Sequence, residues 1–557
     1  MKKIALIVGV FISVGAYAAE NTLINPISLH YYRGEYYIGD PGLHAVLRYK
    51  VGGKPIVLVN KNFPTDLPTG ITDDGKQSLI VGTPNACWLY KININTGKIL
   101  QFSPKLHTKS KFCSCMVTKY DIDHYAFSTG HYIVTVNKLG NQTGRFVPGF
   151  FNTNGVTPFV DTDHTPLFAI TNQGKQGDNV IMTVTQSGKE KSRTLITQCD
   201  GKKLQYPFGI VTLGDTLYFD DAILNTLFSY DIKTKKCEKI SDQFVRPMGL
   251  AVAGNKIAIL DTGKRALLQY DPVTHELKTL YQDHSPITQL VQPWQLYVTS
   301  TNVYMVDSQR NAIIKITKKQ PHKMTVVTDQ GRGKGAPYIA IAGLTGSGNS
   351  LYTSDVSQDI IFRVNSKNGD HTIFSETGVT PGKSFDDPAS LTFYKKNIYA
   401  GDWSKYAIFK VTSSGRRIIV AKLKTRPYSI SSIIDNHLYF IRYNKNVITK
   451  VNIATGHASV LSARGATLPS LNSVVFYDKN TLFVAGGAVK KNQYVYRINL
   501  VSNACKKIAT IPVPYKKYVS FMSRYDKNHL IVNLNAGSQL YLVNIHTGKV
   551  TRFLFEK

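Results

Sequence analysis

The sequence predicts an all-β protein built as two tandem β-propellers, and three observations carry that expectation. Short apolar strands recur at intervals of 40 to 48 residues. Each interval repeats one four-strand pattern with the same turn residues. The composition is rich in Gly, Tyr and Phe (42, 32 and 25 residues) and poor in Glu, which suits pleated, half-buried strands better than helices.

The chain opens with "MKKIALIVGVFISVGAYAAEN". Lys2 and Lys3 precede an apolar run from Ile4 to Val14, and Ala16-Tyr17-Ala18 follows. That order is the charged, apolar and small-residue signature of a secretory signal peptide, here residues 1–18. The run is shorter than the roughly 20 residues a membrane anchor needs, and no Cys follows the cleavage signal to accept a lipid. The expectation is an exported protein, periplasmic or secreted, that is not transmembrane.

The repeat is plainest in two neighbouring stretches, "PFGIVTLGDTLYFDDAILNTLFSYD" from Pro207 and "PMGLAVAGNKIAILDTGKRALLQYD" from Pro247. Their prolines, their aspartates Asp221 and Asp261, and their tyrosines Tyr230 and Tyr270 are each 40 residues apart. A first strand follows a Pro, a second ends in Asp, a third reads like "IFRVN" or "IFKVT", and a turn such as "NINTGK" leads to a fourth. Gly in such turns supplies positive φ cheaply, and Asn or Asp bonds its own backbone. Four antiparallel strands in some 40–45 residues make a propeller blade. Twelve units start near residues 27, 67, 112, 157, 205, 245, 291, 338, 385, 425, 468 and 515. A single ring holds typically 4–8 blades, so twelve implies two rings. Six plus six, as 27–283 and 291–557, is the simplest partition; seven plus five is the alternative. A terminal strand borrowed by another blade is expected to close a ring.

These units resemble NHL-type repeats and the six-bladed propellers of streptogramin lyases and gluconolactonase-like proteins. The residues that carry the resemblance are the "PTGI", "PFGI" and "PMGL" openings, the "LYxxD" strands and the "IxKV" strands, spread over the whole mature chain. The resemblance implies the architecture, and activity only weakly, because propellers host unrelated functions. Lactonase-like members would bring an acidic metal site with an early "EGP" strand; the corresponding "NPISLHYYRGEYYIGD" has Glu35 but no such motif. Lyase-like members would bring His and Glu with a divalent metal. Here 14 His accompany only seven Glu, and no His-x-x-x-His or Glu-x-x-His pair occurs. His30, His124, His131 and His164 are the histidines that could approach the first ring's axis.

The recurring Asp40, Asp221, Asp261, Asp307, Asp355 and Asp402 are expected to cap turns and not to gather on a cation, since six blades spread them round a ring. The basic residue of the third strand (Arg48, Lys91, Lys315, Arg363, Lys410, Lys450, Arg497) is expected to pack its stem and solvate its charge.

The formal net charge is +31. Residues 1–283 hold 31 basic and 23 acidic residues, and residues 284–557 hold 36 and 13. Such an excess favours polyanions and anionic surfaces. On the face shared by the second-to-third-strand loops and the blade connections, the second ring offers Arg310, Arg332, Lys334, Lys405, Arg426, Arg442, Lys445, Lys516 and Lys517. Trp403, Tyr406, Tyr428 and Tyr443 are interleaved with them. Cations attract an anionic partner and flat rings stack on sugars. Cys87 with Cys113 or Cys115, and Cys199 with Cys237, are candidate disulfides whose connectivity spacing leaves open. Zinc ligation is not expected from a Cys-x-Cys pair, and no phosphate loop or nucleophile elbow occurs. The expectation is a non-enzymatic binding or scaffold protein without a cofactor. Its second propeller would engage an anionic polysaccharide, lipopolysaccharide or acidic protein, with nucleic acid not specifically implied. The alternative is a metal-dependent lactonase or lyase with its site in the first propeller's channel.

Overall fold

Alternation of apolar and polar residues over five to seven positions, ended by turn residues, makes strands here and nothing else. The computed structural model describes residues 23–59, 68–83, 88–103, 116–128, 132–146, 152–173, 179–187, 193–285, 290–329, 332–336, 338, 340–356, 358–442, 447–465, 468, 470–487, 492–513, 519–535 and 539–554. Among them are twelve four-stranded antiparallel sheets and one two-stranded hairpin, with no helix. In every four-stranded sheet the strands are consecutive in the chain. No helix among the described residues is long and apolar enough to cross a membrane. Residues 1–18, Cys87, Cys113, Cys115, His131, Tyr443, Lys445, Lys516 and Lys517 lie outside the described residues.

The chain divides into two compact units, Ala18–Ser285 and Pro286–Lys557. In the first, the inner strands Ser28–Tyr32, Gly70–Asp73, Val117–Lys119, Asn152–Val160, Pro207–Leu213 and Pro247–Ala253 touch one another in sequence order, and the last touches the first. In the second, Pro293–Val298, Ile341–Ser347, Pro388–Tyr394, Pro427–Ile430, Leu471–Asp478 and Val519–Arg524 close the same cycle. Each unit is a propeller of sheets about an axis. The apolar core therefore lies between neighbouring sheets. Tyr37 and Val46 of the first sheet pack on Ile71, Leu79 and Val81 of the second, for example.

The borrowed strand expected at ring closure is absent from the described residues, because no sheet takes a strand from elsewhere in the chain. Hydrogen bonds and packing close the rings instead. In the first unit Leu23 N donates to Asp283 at 2.7 Å, Tyr49 donates to the Leu280 carbonyl at 2.7 Å, and Thr262 donates to the Pro26 carbonyl. In the second, Ile531, Leu540 and Phe553 pack on Leu296, Val303 and Met305, and Asn533 donates to the Pro293 carbonyl at 3.0 Å.

The repeated aspartates explain how six of the twelve four-stranded sheets are held. Asp261 ends its strand directly opposite Pro247, which needs no ladder donor at the first position of a strand. Its carboxylate turns back to accept the N–H groups of Val245 and Arg246, just ahead of the Pro, and of Lys264 in the next turn. Asp40, Asp221, Asp307, Asp355 and Asp402 accept backbone donors in the same way and are likewise fully buried. Each carboxylate thus ties the segment leading into a sheet to the turn between its second and third strands. Elsewhere a disulfide joins Cys199 on the two-stranded hairpin to Cys237 on an outer strand, with the Cα atoms 5.2 Å apart. Cys505 is buried and unpaired.

Asp261→Asn replaces one accepting oxygen with an amide donor while leaving the shape intact. A buried N–H then loses its acceptor, at a cost of about 1–3 kcal/mol. The expected result is an earlier urea midpoint for the first unit with its strand content unchanged. A second expectation concerns His44, half-buried at φ +53, where desolvation pushes the imidazole down from 6.5 to about 4. The folded chain holds it neutral while the unfolded chain protonates it. Stability present above about pH 6.5 is therefore lost as pH falls towards 4. His44→Asn, which tolerates the left-handed backbone, should flatten the melting temperature across that window. A profile identical to the parent's would contradict this account.

Candidate functional site

The inner strands of the first unit surround a cavity of about 620 Å³. Each strand contributes apolar side chains to its wall, among them Leu29, Ile71, Val117, Val156, Ile210 and Leu250, and polar groups make up as much of the exposed lining. At one end the lining begins with Met116, just ahead of the third inner strand. There Phe208, Ala222 and Met248 form a cluster with Ile27, Met116 and Tyr206 packed against it. The other end reaches the turns between first and second strands, where Ile122 on the rim is 83% exposed. None of the second-to-third-strand turns of the same unit lines this pit.

Its polar groups cluster near the mouth. His30 Nε2 lies 2.9 Å from Asp73 Oδ2, and the two side chains are 20% and 17% exposed. Burial pushes the Asp73 carboxyl up. The His30 hydrogen bond and charge, the Gly75 N–H and the Lys119 ammonium more than offset this and hold it below the usual carboxylate range. His30, Asp73 and Lys119 come from three consecutive inner strands. Across the pit, Thr157 and Thr212 share a 3.1 Å hydrogen bond, and Thr212 also donates to the Pro158 carbonyl. Of the described candidate histidines, only His30 lines the pit: His124 pairs with Asp121 at 2.9 Å on the surface, and His164 sits in an exposed turn. Among the described residues no group of three or more His, Cys, Asp or Glu is close enough to hold a metal ion.

The second unit differs at the same level. Trp294, Tyr428, Trp403 and Phe521 are 3–6% exposed and contact one another. Trp403 stacks on Tyr428 at 5.4 Å, and Trp294 meets Phe521 at 5.3 Å. Gln295 donates to the Leu391 carbonyl and accepts from Leu344 and Leu391, bridging three sheets. These side chains interlock among the inner strands.

This corrects part of the binding face expected from the sequence. Trp403 and Tyr428 are interior side chains, as are Trp294, Tyr338 and Phe385, because Trp403, Tyr428 and Trp294 pack together among the inner strands while Tyr338 packs on Phe362 and His371 and Phe385 on Phe409. Arg310 is also buried, with Nε 3.4 Å from Asp307. Arg332, Lys334, Lys405 and Tyr406 are exposed, and Arg426 and Arg442 are half-buried. The Arg426 guanidinium lies over the Tyr406 ring at 5.8 Å. Acidic groups lie beside them. Asp386 is 3.8 Å from Lys405, and Asp387 sits buried at φ +96. Burial, then the charges of Asp402, Asp359 and Asp386, push the Asp387 carboxyl well above the usual carboxylate range.

No family model and no curated protein matches the chain. Solved structures do. Streptogramin B lyase is similar at 14% identity and a TM-score of 0.32, over 60% of this chain and 93% of that one. The extracellular domain of a hybrid two-component system from B. thetaiotaomicron is similar at 14% identity and 0.35, over 97% and 78%. PorZ, a surface component of the type-IX secretion system of Porphyromonas gingivalis, is similar at 9% identity and 0.34, over 96% and 82%. These are likenesses of propeller architecture.

If Trp403 is a core residue, its loss should register in stability and not only in binding. Trp403→Ala is expected to cost the second unit about 3–5 kcal/mol, as for other buried aromatic truncations, read as a lowered midpoint of its unfolding transition. An unchanged midpoint would return Trp403 to the surface.

Proposed function

We propose that the protein is an exported, non-enzymatic binding protein that needs no cofactor, and that the second unit engages a polyanionic partner through its exposed loop cations. The observation that carries this reading is where the acidic residues go. Of the 13 in residues 284–557, Asp307, Asp355, Asp386, Asp387 and Asp402 are buried. The surface is therefore more cationic than the sequence count. Where both partners are described, Lys and Arg of the first unit form nine carboxylate ion pairs within 4.0 Å. Those of the second unit form two.

The loops that carry the cations are well tied. His371 stacks on Tyr338 at 4.4 Å and places Nε2 2.7 Å from the Ala336 carbonyl, beside Lys334. Arg417 is 2% exposed and donates to the carbonyls of Lys383, Glu376 and Thr380, fixing the segment before Phe385. Cations already held in place lose less conformational freedom on binding. An anionic glycan or lipopolysaccharide headgroup fits this chemistry, as does an acidic protein segment.

Dextran sulfate is the test ligand. Its affinity for the mature protein should fall steeply from about 50 to 200 mM salt, as the screening length shortens. Arg332→Glu, Lys334→Glu and Lys405→Glu together should weaken it by about tenfold or more, equivalent to about 1.4 kcal/mol. Salt-insensitive binding, or a triple variant that binds as the parent does, would refute the proposal.

A further inference from the structure

We infer that the pit of the first unit is a binding site for a small amphipathic anion, a molecule with an apolar body and one acidic head group. The site lies in the first unit alone and stands independently of the loop face of the second. Its volume of about 620 Å³ falls within the 300–1,000 Å³ usual for small-molecule sites. The aliphatic side chains that each of the six sheets adds to a lining shared with polar groups suit an apolar body, since burying that surface removes it from water.

The head group follows from what is already paired. Asp73 is engaged by His30 and by the Gly75 N–H, at 2.9 and 2.6 Å. Asp121 is engaged by His124 and by the Asp123 N–H. The carboxylates at the mouth therefore have partners. Lys119 differs: its ammonium lies over Gly75, where a β-carbon would come within 2.8 Å of it. It influences Asp73 through its charge, yet among the described residues no carboxylate lies within the 4.0 Å of an ion pair. Among the described charged groups at the mouth, Lys119 is thus the one without a counter-ion, and it stands at the edge of a partly apolar pit. Gly75 at φ +73 makes room for it.

The side chains pack from six separate strands, so the pit is formed before any ligand arrives. It offers a positive point beside a partly apolar wall, and that pairing favours an amphipathic anion over a neutral apolar molecule.

The mature full-length chain can be titrated with two fluorescent probes of similar shape, anilinonaphthalene sulfonate and the uncharged N-phenylnaphthylamine. Saturable binding of the sulfonate at one site, about tenfold tighter than the neutral probe, is expected. Lys119→Glu should weaken the sulfonate by about tenfold or more, the size of one lost charge contact, and change the neutral probe by less than about threefold. Val252→Trp should fill the pit and abolish both while the circular dichroism stays native. The inference is overturned if neither probe saturates, if both bind equally, or if Lys119→Glu weakens both alike. Undiminished binding in a folded Val252→Trp protein would also overturn it, placing the probe elsewhere. Should that variant fail to fold, the selective loss in Lys119→Glu decides alone.

Discussion

A buried carboxylate opposite a proline is the interaction from which the rest of this architecture follows. At Asp261 and its equivalents the side chain gathers backbone donors from two segments that strand pairing leaves without acceptors. A buried N–H without an acceptor costs about as much as a hydrogen bond contributes, so these contacts decide where each of their sheets begins and how its turn is placed. They do so without side chains large enough to disturb the stacking of sheets. The same contacts shape the electrostatics. An acid spent inside the fold does not oppose cations outside it, so a chain with few acids to begin with becomes more cationic at its surface in the very act of folding.

One repeat serves two different centres. In the first unit the inner strands present Leu29, Ile71, Val117, Val156, Ile210 and Leu250, side chains too short to meet across the axis, and a pit remains. In the second, Trp294, Tyr428 and Phe521 stand on inner strands, and Gln295 crosses from one sheet to another two blades on. The backbone scaffold is shared, while side-chain size at a few inward positions decides between a cavity and a filled interior. Close packing leaves little between these outcomes, because a channel half filled by aromatics would lose the contacts of both.

The repeat was legible because its turn chemistry is local: Pro, Asp and Gly fall at fixed offsets in each unit. Ring closure was less so. A borrowed strand was expected, but Leu23–Pro26 reaches the sixth sheet through single hydrogen bonds that leave no mark in the sequence. Trp403 and Tyr428 were misplaced for a similar reason. A tryptophan after the second-strand Asp reads as a loop residue, and nothing adjacent signals that its ring meets one a blade away. The pit was harder still. His30 was marked as a residue near the axis, but Asp73 lies 43 positions on, on another sheet, and the walls are ordinary Ile, Val and Thr. A faint signal was there: Asp73 and Lys119 each end a short inner strand, charged groups at the edge of an inward-facing surface.

The cationic loops are not equivalent. Lys405 lies within 3.8 Å of Asp386 and close to a set of carboxylates that includes Asp387, whose proton affinity is raised first by burial and then by that crowding. A polyanion approaching there meets a charge already partly opposed. Arg332 and Lys334 sit on a segment ordered by the His371–Tyr338 stack. Asp370 touches that segment by accepting the backbone N–H of Lys334 at 2.8 Å, and the Lys334 side chain is exposed. Electrostatic attraction adds over charges that a flexible anion can reach together, whereas each opposed pair subtracts from it. Under the proposed function, the loop of Arg332 and Lys334 is where the second unit would hold an anionic chain most firmly, with Lys405 contributing at the margin.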